Sequence, residues 1–133
     1  MSLESDRITI HTLGLGSRSE TVRFHSNLGS ASRESEFGTS TISMQTLDSL
    51  RIHNPTFIKM DIEGGEVAAL LGATTTIRMH EPRLAVSVYH RYDDLRRIPE
   101  IVDLSGVSYR IYLRHYTEGT DETVMFFIPN SMD

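Results

Sequence analysis

The feature that most constrains this chain is a change of period inside "FIKMDIEGGEVAALLGA", residues 57–73. Phe57–Ile62 is a nearly continuous apolar run. Strands of that kind are buried on both faces, as in a parallel sheet. From Gly65 onward the spacing changes: Val67, Leu70 and Leu71 recur at i, i+3 and i+4, the mark of an amphipathic helix. "RLAVSVYH", residues 83–90, is a second buried strand. A strand, a helix and a strand in this order imply a parallel pair with a right-handed crossover.

The remaining segments attach to that unit. "TTTIRMHEP" adds a turn that must stop before Pro82, because the residue before a proline avoids helical geometry. "YDDLRRIPEIVDLSG" predicts a turn and then a helix with Pro99 near its start, Ile98, Ile101 and Val102 inward and Gly106 at its end. "YRIYLRHY" and "TVMFFIP" are strands joined by the short loop "TEGTDE". A loop of that length makes a hairpin, so these two run antiparallel. Upstream, "RITIHTL" and "ETVRFH" alternate as strands around the turn "GLGSRS". Residues 26–40, rich in Ser, Gly and charge, predict a mobile loop or a segment ordered only by a partner or ligand. "STISMQTL" is a weak strand and "DSLRIHNP" a short helical turn.

With 133 residues, one domain is expected, spanning 1–133. Its α/β core is placed at 41–133 and a poorly packed N-terminal segment at 1–40. The fold class is α/β: a partial Rossmann-like arrangement, a mainly parallel sheet closed by an antiparallel strand hairpin. The net charge of −5, from 13 basic and 18 acidic residues, and the lack of a basic cluster argue against a nucleic-acid partner. No apolar run approaches the ~20 residues of a membrane-spanning helix. The absence of cysteine excludes disulfides and thiolate metal sites and sets a cytoplasmic expectation.

In open parallel sheets ligands bind beyond the carboxyl ends of the strands. Three strands end in polar clusters: Asp61-Ile62-Glu63, Tyr89-His90-Arg91 and Arg114-His115-Tyr116, with Glu118 and Glu122 following. We therefore expect Asp61, Glu63, His90 and the 114–118 segment to share one concavity. Asp61, Glu63 and Glu66 admit a second reading as caps of the helix that follows them. Lys59, two residues before Asp61, offers it a structural ion pair. Gly64-Gly65 allows a positive φ or the close approach of a ligand. His90 reads either as a hydrogen-bonded rim residue or as a general base facing Asp61. Asp61, Glu63 and His90 are also types that ligate a divalent metal, but their spacing requires none. The G-x-G at 14–16 runs into a strand rather than a helix, so it is a turn and not a dinucleotide fingerprint.

"FIKMDIEGGEVAALLGA", "PRLAVSVYHR", "YRIYLRHYTEGTDETVMFFIP" and, less fully, "TISMQTLDSL" resemble the second half of FkbM-type methyltransferases. The resemblance covers residues 40–129 well and 8–25 loosely. It implies a Rossmann-like sheet whose last strand is inserted antiparallel. It implies methyl transfer from S-adenosylmethionine to an oxygen of a small molecule or sugar. Carried over, Asp61 and Glu63 sit beside donor and acceptor, with Asp61 also touching the cofactor. His90 faces them, and Arg114, His115 and Glu118 line the substrate rim. The family's glycine-rich donor turn and its ribose-holding acid have no counterpart here. Two further functions compete with this one: a non-catalytic binding domain on the same half-fold, and a metal-dependent hydrolase using Asp61, Glu63 and His90. Without its usual neighbours the strand at 57–62 becomes an edge. The N-terminal strands, or a second copy in a homodimer, are expected to cover it.

Overall fold

A computed structural model describes residues 7–24, 40–119 and 121–132. Almost all of the segment expected to be a mobile loop lies outside these. Among the described residues, seven strands form two separate sheets. The larger contains β4 (Phe57–Met60), β5 (Arg83–Ser87), β6 (Tyr109–His115) and β7 (Thr123–Pro129) in the order β4-β5-β7-β6. β4 and β5 run parallel, with Met60 beside Val86. β7 then inserts antiparallel between β5 and β6, pairing Leu84 with Phe127 and Phe127 with Ile111.

The expectation of a mainly parallel sheet is thereby corrected: the sheet is mixed, with one parallel and two antiparallel neighbour pairs. The cause is the short 116–122 connection. It folds β7 straight back along β6, and β7, not β6, then takes the place beside β5.

Three helices supply the cover: α2 (Glu66–Leu71), α3 (Thr74–His80) and α4 (Asp94–Asp103). Leu70, Ile77, Ile98 and Val102 from these helices form one apolar cluster with Met60, Leu84, Val86, Met125 and Phe127 from the sheet. Fully burying side chains of this size contributes about 1.5–3 kcal/mol each. α4 begins earlier than the sequence suggests, so Pro99 lies inside it rather than in its first turn. An interior proline costs the helix one backbone hydrogen bond, and the burial of Ile98 and Val102 offsets that cost.

β4 is not buried on both faces as its composition suggested. Phe57 is 55% exposed and Lys59 is also exposed, because β4 ends the sheet. Only its other face, with Met60, enters the core.

The N-terminal strands do not extend this sheet. β1 (Gly14–Leu15), β2 (Glu20–Phe24) and β3 (Ser40–Gln45) form their own, in the order β1-β3-β2. The strand read over residues 7–13 is absent. The short strand falls instead on Gly14–Leu15, inside the stretch read as a turn. This small sheet docks through a glycine. A Cβ on Gly72 would lie 2.1 Å from the carbonyl oxygen of Gly16, so only glycine lets the two backbones meet.

α1 (Leu47–Leu50) secures the same junction. The N-terminus of α3 has no capping side chain of its own. Asp48 supplies one from α1, accepting from Thr75 N at 3.1 Å, Thr76 N at 2.7 Å and Thr76 Oγ1 at 2.8 Å. Burial raises the Asp48 pKa, but these bonds together hold it below its ordinary 3.8. A cap of this kind is worth about 1 kcal/mol.

Among the described residues no helix is long and apolar enough to cross a membrane.

Candidate active site

The three carboxylates after β4 are held in a tight turn. Glu63 and Gly64 both take positive φ, 55° and 97°. Gly65 N–H closes the turn onto Ile62 O at 3.2 Å. A side chain at Gly64 would also crowd Arg91, whose Nε would lie 3.2 Å from the added Cβ and donates to Gly64 O at 2.7 Å. Both roles suggested by the paired glycines, positive φ and close approach, therefore fall on Gly64, and the group that approaches is Arg91.

Glu66 is fully buried at the base of this turn. Its Oε1 accepts from Ile62 N at 2.9 Å and its Oε2 from Gly64 N at 3.0 Å. Glu66 therefore does not cap α2, whose first turn has no side-chain cap; it ties down the turn that precedes the helix. The same Oε1 also lies 2.9 Å from His90 Nδ1. That approach is an ion-pair contact rather than an aligned hydrogen bond, since neither ring nitrogen of His90 completes one.

β5 carries His90 to the same edge. Its side chain is only 8% exposed. Nε2 lies 3.5 Å from Asp61 Oδ1 and 3.7 Å from Glu63 Oε2, both on carboxylates about a third exposed. Asp61, Glu63 and His90 are therefore brought together. Glu66 thus stands on the Nδ1 side of the ring and Asp61 and Glu63 on its Nε2 side.

The proposed pairing of Asp61 with Lys59 does not form. Among the described residues Lys59 makes no ion pair, and Asp61 instead accepts from the Tyr89 hydroxyl at 3.3 Å. Burial, then the charge of Asp61, then Glu122, pushes the Tyr89 phenol up to about 12. Tyr89 thus stays protonated and serves as a donor. Its ring lies 4.1 Å from that of His90, centroid to centroid, and helps shield the imidazole.

Arg114, His115 and Glu118 lie at the same carboxyl edge but farther along it. β7 separates β6 from β5, so about three strand spacings, on the order of 14 Å, lie between the ends of β4 and β6. Arg114 stands over the Tyr116 ring at 5.9 Å, and His115 Nδ1 pairs with Thr123 Oγ1 at 2.7 Å.

Tyr89, Glu66, Arg91 and Asp94 belong to the site yet were not singled out by sequence reasoning as site residues. The signal for Tyr89 and Arg91 was present, since both flank His90 in "VYHR". Asp94 gave no such signal. It is 1% exposed and accepts from Arg91 N at 2.9 Å, which fixes the turn that carries His90.

Burial holds Asp94 above its ordinary 3.8; the Arg91 N–H opposes this and the Glu66 charge adds to it. Its pKa is higher folded than unfolded, so the folded chain binds the proton more tightly. Its ionised form therefore costs stability, a cost absent below 3.8 and complete above the folded pKa. Asp94→Asn keeps an oxygen for the Arg91 N–H but removes the charge. The variant is expected to gain on the wild type as pH rises from the acid side, the two converging near pH 3.8 and below. Urea unfolding across that range measures the gap; a gap that widens toward acid would reverse the assignment.

Three comparisons bear on this site. Residues 2–111 match the family profile described as Methyltransferase FkbM domain. The crystal structure of methyltransferase FkbM from Methylobacillus flagellatus KT superposes with a TM-score of 0.73 at 36% identity. The match covers 92% of the present chain and 28% of that one, so this chain spans well under half of its length. No curated protein matches the chain.

Proposed function

Because the chain belongs to the methyltransferase FkbM domain family, we propose that its carboxyl-edge cluster is the reacting side of an S-adenosylmethionine-dependent O-methyltransferase acting on a small molecule or sugar. The observation that carries this reading is the His90 ring. Its Nδ1 is set against buried Glu66 and its Nε2 turned toward Asp61 and Glu63. The alternatives, a binding domain and a hydrolase, gain nothing from the family match.

S-adenosylmethionine supplies, when bound, a methyl group on a positively charged sulfur. The residues present fit its reacting end: Asp61 and Glu63 place two partly exposed negative charges at one edge, where a cationic sulfur is stabilised. They supply neither a glycine-rich turn nor a ribose-holding acid for the rest of the molecule.

In the metal-free site His90 Nε2 would accept the proton of the acceptor hydroxyl whose oxygen takes the methyl group. Glu66 keeps the ring from turning as its charge changes. Tyr89 donates to Asp61, leaving that carboxylate's second oxygen for a ligand. Positioning by such groups and proton transfer are the two terms a methyl transfer requires.

The test is a coupled assay for S-adenosylhomocysteine over a panel of sugars and small hydroxylated acceptors, with calorimetry against S-adenosylmethionine. Heat of binding and acceptor-dependent product are expected. A folded protein that neither binds the donor nor forms product would remove the enzymatic reading.

A further inference from the structure

The His90 lone pair is poorly served by the protein alone. Both ring nitrogens are buried, and neither completes a hydrogen bond. Nε2 is aimed between two carboxylates at 3.5 and 3.7 Å, too long for hydrogen bonds. Donor atoms sharing one cation at about 2.0–2.2 Å stand roughly 3 Å or a little more apart. The ligand atoms that all lie within 4.8 Å of one another are those of Asp61, Glu66 and His90, and Glu63 joins them through its 3.7 Å approach to Nε2.

We propose that His90 Nε2, Asp61 and Glu63 hold a first-row divalent cation, Mn²⁺ or Zn²⁺, with Glu66 orienting the ring from behind. Glu66 is assigned the supporting place because both its oxygens already accept backbone N–H bonds. A metal-bound histidine commonly gives its other ring N–H to a carboxylate, which fixes the tautomer. One imidazole with two carboxylates suits Mn²⁺ or Zn²⁺ better than Mg²⁺ or Ca²⁺, which favour all-oxygen sites.

The charge balance agrees. Three carboxylates surround one ring, and a divalent cation offsets their repulsion. The partial exposure of Asp61 and Glu63 leaves a path of entry. The inference rests on the proposed reaction only for the cation's purpose: an acceptor hydroxyl bound to it would lose its proton more readily, to solvent at the partly exposed Asp61 and Glu63, with the ring holding metal instead of taking that proton.

Electron paramagnetic resonance of the chelator-treated chain titrated with MnCl₂ tests the site. One equivalent of Mn²⁺ should bind, with spin-echo modulation from a directly bonded nitrogen. Asp61→Asn should weaken binding at least tenfold. His90→Gln should abolish the nitrogen signal, and Glu66→Gln should weaken affinity by about 10–100-fold. If His90→Gln does not fold, the wild-type nitrogen signal and the loss in Asp61→Asn decide. Absence of nitrogen coupling, or affinity unchanged in Asp61→Asn, overturns the site. A preparation that gives the signal but transfers no methyl group upholds the site and counts only against the methyl-transfer reading. An active preparation lacking the signal overturns the site alone.

Discussion

In a preparation competent for methyl transfer, Asp61→Asn is expected to lower turnover by about 10²–10³-fold while moving the unfolding midpoint little. Asp61 is partly solvated, with its side chain 38% exposed, and accepts a hydrogen bond from Tyr89 at 3.3 Å. Asparagine can turn its oxygen to that hydroxyl, so the folded state loses little, within the ~0.5 kcal/mol usual for such positions. The reaction loses more. The amide carries no charge to stabilise a cation at the rim, and it cannot help hold the proton or metal that His90 Nε2 takes. Steady-state kinetics beside thermal melts separate the two effects. Proportional losses of activity and stability would show that Asp61 serves the fold and not the chemistry.

Glu66→Ala is expected to have the opposite profile, with a large loss of stability. Its carboxylate holds Ile62 N, Gly64 N and the face of His90 at once, with no exposure to water. Truncation leaves two turn amides without partners inside the chain and removes the carboxylate beside His90 Nδ1. Each unsatisfied buried group costs about 1–3 kcal/mol, and breaking a buried ionic contact costs about 3–5 kcal/mol. These terms overlap, so about 3–5 kcal/mol in total is expected, a midpoint fall on the order of 10–15 °C for a chain of this size. Glu66→Gln keeps one acceptor oxygen and should fall between alanine and wild type. A shift of under about 3 °C for the alanine variant would mean that the turn at 61–66 is held by its backbone alone.

Much of the site could be read from sequence because strand ends are local features. "FIKMDIE" and "VSVYH" are apolar runs that stop in polar residues. The parallel pairing of β4 with β5 then places both stops at one edge. That argument brought Asp61, Glu63 and His90 together without coordinates. It set Arg114, His115 and Glu118 at the same edge too, but a strand-end rule gives the edge and not the distance along it, and β7 lies between β5 and β6.

The misreadings share a cause. Lys59 was paired with Asp61 on side-chain alternation, but a carboxylate at a strand end chooses among every donor the next strand presents, and Tyr89 was closer. β4 was read as doubly buried from its composition; it does end its sheet, as the lack of its usual neighbours led us to expect, but its face with Phe57 and Lys59 is exposed, because burial depends on what packs over a strand and not on its own residues.

By itself the sequence determined the elements and their kind: a strand–turn–helix at 57–71, a buried strand at 83–87 and a closing hairpin at 109–129. Apolar period, glycine position and loop length act over a few residues and are written directly in the chain. The tertiary structure alone decided which distant groups meet. It set Glu66 behind His90, lent Asp48 from one helix as the cap of another, and passed Gly16 over Gly72. Those contacts carry no local signature, because their partners are chosen by packing once the sheet and helices close on a common core.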